Sequence, residues 1–136
     1  MTAKQIFVNL PVKDLDKSIE FFKHMGYTFN PQFTDETATC MVIDENIFAM
    51  LITHKRFKDF TKKEIADAHK TTEVLICLSC DSKEQVDAMV SSAIGAGGKE
   101  HRETEDYGWM YNRSIEDLDG HVWEYAWMDM NKFPQG

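Results

Sequence analysis

Gln5-Ile6-Phe7-Val8-Asn9-Leu10-Pro11-Val12-Lys13-Asp14-Leu15 is the stretch on which the fold turns. Val8, Leu10 and Val12 alternate to form one apolar face, and Phe7, Asn9 and Pro11 form the other, so residues 5–12 are predicted as a strand. Pro11 has no N–H to give a ladder, which places this strand at a sheet edge or a bulge. Asp14 carries an N-cap side chain. Beyond it Leu15, Ile19, Phe22 and Met25 recur at helical spacing, and Gly26 suits the position that follows a helix. Three strands are predicted next, over 27–33, 39–43 and 47–53, with turns at Asp35-Glu36 and Asp44-Glu45-Asn46.

Residues 54–72 are polar with a few aromatics and read as a linker, in which Thr61 and Glu64 spell a capping box for one short helix. The first pattern then restarts. Residues 73–80 are β-rich, and Ser82 with Gln85 spells a second capping box. Val86, Met89, Val90, Ala93 and Ile94 make an apolar helical stripe that Gly95, Gly97 and Gly98 end. Strands over 99–104, 109–116 and 122–128 follow, the last two joined by Asp117-Leu118-Asp119-Gly120, a strong turn. The two helix starts, Asp14 and Ser82, lie about 68 residues apart. The order β-α-β-β-β therefore occurs twice, over about 4–53 and 73–130, in one domain. The predicted fold class is α+β: two tandem βαβββ modules forming a curved eight-stranded mixed sheet with a concave cup. Such a cup is the default place for a small-molecule ligand.

The formal net charge of −8 argues against nucleic acid and against an anionic membrane surface as partners. No run approaches 18 apolar residues. The opening residues lack an apolar leader, and three cysteines (Cys40, Cys77 and Cys80) leave at least one unpaired, so a cytoplasmic location with free thiols is expected.

The chain resembles the vicinal oxygen chelate superfamily, which includes glyoxalase I, bleomycin-resistance proteins and extradiol dioxygenases. The resemblance rests on residues 8–15 with Ser18, Phe21-Phe22 and Gly26-Tyr27, and most specifically on Asp117-Leu118-Asp119-Gly120-His121-Val122-Trp123-Glu124. Residues 30–36 and 109–114 are similar to a bacterial branch described as predicted lactoylglutathione lyases. The resemblance implies the fold above, a homodimer, and a lyase or isomerase with Glu124 as acid or base. The alternative it implies is a non-catalytic protein that sequesters an aromatic or cationic molecule.

Metal-using members of that superfamily chelate a divalent ion through the first and last strands of each module. Carried over residue by residue, the positions fall on Phe7, on Ala49 or Met50, on Leu75 and on Glu124. Only Glu124 is a ligand for a hard ion, so a divalent metal is possible but not favoured and the cofactor is left unknown. Asn9 and His121 are the nearest polar neighbours that a one-residue slip would recruit. Asn9 is a candidate to orient a ligand carbonyl, or else bonds to nearby backbone. Tyr111 and Arg113 share a strand face and are candidates to hold a ligand. The other reading of Arg113 is an ion pair with Glu124 or Asp117. Trp123, Tyr125 and Trp127 form an aromatic face that reads as core or interface. Cys77-Leu78-Ser79-Cys80 spells C-x-x-C but within a strand, which reads as structural.

Overall fold

The structure, a computed structural model, describes residues 2–132. The chain divides into two compact units, 1–67 and 68–136, so the boundary falls late in the predicted linker.

In the first unit, β1 (Ile6–Val12) leads to α1 (Leu15–His24), then β2 (Thr28–Asn30), β3 (Ala38–Asp44), β4 (Ile47–Thr53) and a single-turn helix α2 (His54–Phe57). The Asp14 carboxylate accepts the Lys17 N–H at 3.1 Å and starts α1. Gly26, at φ +99°, takes the left-handed conformation that ends it. The sheet order is β1-β4-β3-β2. Pro11 thus lies on an edge strand, where its missing donor costs least. β1 runs parallel to β4, and the rest is antiparallel. α1 packs against β4. Leu10, Val12, Thr39, Met41, Ala49 and Leu51 lie buried on the sheet's helix side. Of the predicted stripe, Leu15, Phe22 and Met25 are buried and Ile19 is not; Ser18 and Phe21 are buried with them. The 100° step of the helix centres the contact on small Ser18 and turns Ile19 to its margin.

Two predicted elements of this unit differ. The strand over 27–33 stops at Asn30, because the Asn30 side chain accepts the Gln32 N–H and Pro31 opens a 3-10 turn through Phe33. The helix expected from Thr61 does not form. The Thr61 hydroxyl takes the Lys63 N–H two residues on, closing a local turn instead of capping. The helical turn comes earlier, where Thr53 accepts from Arg56.

The second unit runs β5 (Leu75–Ser79), α3 (Lys83–Gly95), β6 (Lys99–Glu100), β7 (Glu105–Asp106), β8 (Met110–Glu116) and β9 (Val122–Met128). Ser82 caps α3 through the Gln85 N–H at 3.0 Å, and the Gln85 side chain reaches back to the Asp81 N–H at 2.6 Å. β5 is parallel to β9, and β9 is antiparallel to β8. Of the strand predicted over 99–104 only Lys99–Glu100 forms, and a further short strand, Glu105–Asp106, lies just beyond it; both pair with β8. The eight predicted strands therefore appear, among the described residues, as a four-stranded and a five-stranded sheet. α3 packs on β8 and β9. Trp123 and Tyr125 are buried beneath it with Ile115, Val86, Val90 and Ala93.

Candidate functional site

The β8–β9 turn aims the site. Asp117 is buried, and its carboxylate accepts N–H bonds from Asp119, His121 and the Trp123 indole at 2.9–3.0 Å. Burial pushes its pKa up, against the pull of His121 and of these donors. Gly120 completes the turn at φ +85°, and a Cβ there would lie 2.7 Å from the His69 backbone nitrogen. With Trp123 held toward α3, strand alternation sends the next residue, Glu124, to the helix-free face.

On that face Glu124 sits between two neighbours in register: Cys77 of β5 on one side and Ser114 of β8 on the other. Asn112 stands two residues from Ser114 on the same face. Glu124 is half-buried, and among the described residues no hydrogen bond or ion pair engages its carboxylate. Ser114 is only 2% exposed, and among the described residues its Oγ has no hydrogen-bond partner; the Asn112 Oδ1 is likewise buried and unpartnered there. Unpartnered buried polar atoms are costly, and two of them beside the half-buried Glu124 make this face the candidate for a ligand. Burial and the Glu124 charge both push the Cys77 thiol up, so it stays protonated. Burial, Asp81 and Cys77 do the same to Cys80. Neither thiol is activated as a redox C-x-x-C pair requires.

Tyr111 and Arg113 do share a face, but it is the helix side, opposite Glu124. Both bind Asp87 of α3: the Tyr111 hydroxyl at 2.7 Å and the Arg113 guanidinium at 2.9 Å. Arg113 also pairs with Glu100 at 3.2 Å, and not with Glu124 or Asp117. The Tyr111 bond, with Arg113 behind it, holds the Asp87 carboxyl below its usual range. The sequence does contain this answer. Counting back through the Asp117–His121 turn sets Arg113 opposite Tyr125, on the aromatic face, and Ser114 opposite Glu124. Asn112 and Ser114 were missed because the reading followed charge and aromaticity at positions 111 and 113.

The first unit carries the same row in other residues. Asn9 of β1 faces Met50 of β4, which faces Cys40 of β3. Register thus matches Met50, not Ala49, to Glu124, and Phe7 to Leu75. Phe7 stacks on Phe48 at 4.8 Å. The exposed Asn9 donates to the Phe7 carbonyl at 3.3 Å. A chelated divalent ion does not fit the row of either unit: in the first, Phe7 is hydrocarbon and Met50 a thioether, and in the second, Leu75 is hydrocarbon and Glu124 the lone hard donor of the pair. Among the described residues, no three His, Cys, Asp or Glu side chains are grouped to hold a metal ion. His121 stays in the turn beside Asp117.

Comparison with known proteins agrees with this architecture. The family described as bleomycin resistance protein-like N-terminal matches residues 4–44. A hypothetical protein from S. aureus, SA1046, superposes with a TM-score of 0.78 at 29% identity, covering 93% of this chain and 95% of its own. A glyoxalase/bleomycin resistance protein/dioxygenase family enzyme from Burkholderia phytofirmans gives 0.76 at 16% identity, covering 93% and 99%. A lactoylglutathione lyase from Agrobacterium tumefaciens gives 0.69 at 14% identity, covering 97% and 98%. No curated protein matches the sequence. The chain has the fold of the glyoxalase, bleomycin resistance and dioxygenase superfamily. A shared fold at these identities does not carry a shared reaction.

Proposed function

We propose that the chain is a glyoxalase-like lyase or isomerase acting on a small molecule, with Glu124 as the acid and base. The observation that carries this is the half-buried Glu124 carboxylate, free of hydrogen bonds and ion pairs among the described residues, on the helix-free face of its sheet. Such a group can take a proton from a carbon beside a carbonyl and return it to the neighbouring carbon. The lactoylglutathione lyase among the structural relatives suggests the first substrate to try, the adduct of glutathione with a 2-oxoaldehyde. A homodimer, a cytoplasmic location and a ligand-orienting role for Asn9 on its own unit's sheet belong to the same proposal, and light scattering tests the first. Turnover of that adduct by the wild type and by Glu124→Gln is the deciding measurement. We predict a loss of about 10²–10⁴-fold in kcat. An unchanged rate in Glu124→Gln removes Glu124 from the chemistry.

The second reading is sequestration of an aromatic or cationic molecule without turnover. The Phe7–Phe48 stack favours it, because Phe7 is half exposed and presents an aromatic surface at a position where the superfamily often has a ligand. A wild type with no turnover that melts higher in the presence of a flat cationic compound supports this reading over the first.

A further inference from the structure

We infer that the Ser114 hydroxyl is a catalytic donor to the oxyanion that develops when Glu124 removes a proton, with the Asn112 side-chain oxygen holding the adjacent hydroxyl. This rests on the reading of Glu124 as the base. Three observations carry it. Ser114 lies directly across the ladder from Glu124, so both reach the same small group. Ser114 is 2% exposed, and its Oγ has no partner among the described residues, so its O–H is unspent there. Asn112 Oδ1, two residues along the same face, is a buried acceptor with no donor among them. A carbonyl next to a hydroxyl supplies what these atoms lack: an acceptor for the serine and a donor for the asparagine.

The step balances within the substrate. Glu124 takes the proton from the carbon bearing the hydroxyl. The C–H electron pair forms the new C=C bond, and the carbonyl π pair moves onto its oxygen, which accepts the Ser114 hydrogen bond. The protonated Glu124 then delivers its proton to the former carbonyl carbon, which takes the C=C electron pair; the hydroxyl oxygen gives up its proton as it becomes the new carbonyl, and the former carbonyl oxygen takes up one proton from solvent to become the new hydroxyl. Oxidation at one carbon and reduction at the next cancel, so no external oxidant or reductant is needed. A preorganised hydroxyl at a developing oxyanion takes over charge that a Lewis acid would otherwise carry, and removal of one such donor costs about 10²–10³-fold in kcat.

The test compares wild type, Ser114→Ala, Ser114→Thr and Glu124→Gln on the adduct of glutathione with 2-oxopropanal, after dialysis against a chelator. Melting curves check that each variant folds. Ser114→Ala should fold, because nothing among the described residues bonds to the oxygen it removes. The expected result is turnover that survives the chelator, a kcat about 10²-fold lower in Ser114→Ala with KM little changed, and partial recovery in Ser114→Thr. A second readout is binding of acetohydroxamate, an analogue of the enolate, which should weaken about tenfold in Ser114→Ala. Full activity and binding in Ser114→Ala, beside a dead Glu124→Gln, overturn this inference and leave the base in place. Activity lost to the chelator and restored by a divalent ion overturns it as well. No turnover by the wild type, or equal turnover by all four proteins, brings down both this inference and the reading of Glu124.

Discussion

Two glycines with similar backbones show how much a single residue carries. Gly26 and Gly120 both have positive φ, but a Cβ at 26 meets nothing within 4 Å, whereas at 120 it strikes the Ala68–His69 backbone. Gly26→Ala should therefore cost only the conformational penalty, about 1 kcal/mol. Gly120→Ala adds overpacking against main chain and should cost about 3 kcal/mol. Urea unfolding of the two variants separates them, and equal midpoints would show that the linker does not press on the turn. The sequence marked Gly120 as a turn residue, but the second constraint comes from residues some 50 positions away, which no local pattern encodes. Asp117 is similar. Its place in the turn was legible, while its bond to the Trp123 indole, which fixes the parity that sets Glu124 apart from Trp123, appears only in three dimensions.

At the scale of elements, a capping sequence alone did not decide which helices formed. Ser82 and Thr61 both spell capping boxes, yet only Ser82 is followed by an apolar stripe able to bury itself, and only there does a helix propagate. Ser82→Ala should lower stability by about 1 kcal/mol, and Thr61→Ala should change it by less than about 0.5 kcal/mol. Thermal melts of the pair read this directly. The clasp between α3 and β8 is a second device at this scale. Asp87 titrates below its usual range in the folded protein, so its contribution is present above the unfolded carboxyl value near 3.9 and is lost as pH falls through the lower folded value. Asp87→Asn should flatten that part of the stability–pH curve and cost about 1 kcal/mol at neutral pH, a modest figure because the Asp87 side chain is half exposed. A curve of unchanged slope below pH 4 would show that the clasp adds nothing. Alternation alone puts Tyr111 and Arg113 on one face. Which face it is depends on the length of the turn beyond.

At the scale of the whole molecule the repeat was legible because each half writes its own cap, its own terminating glycine and its own strand alternation. The number of strands was less so, since 99–106 is a broken edge whose two pieces are defined only by pairing with β8. The row Cys77–Glu124–Ser114 has one more consequence. Its members come from three adjacent strands, so backbone spacing fixes their separation at roughly 4.8 Å per step, or about 10 Å from end to end. Side-chain flexibility alters that span little. The row is a fixed gauge of molecular width: a compound as broad as two fused rings touches all three groups at once, while a three-carbon fragment placed against Glu124 and Ser114 leaves the thiol uncovered. Alkylation of Cys77 by iodoacetamide in the presence of either compound would report which width the protein was shaped to hold.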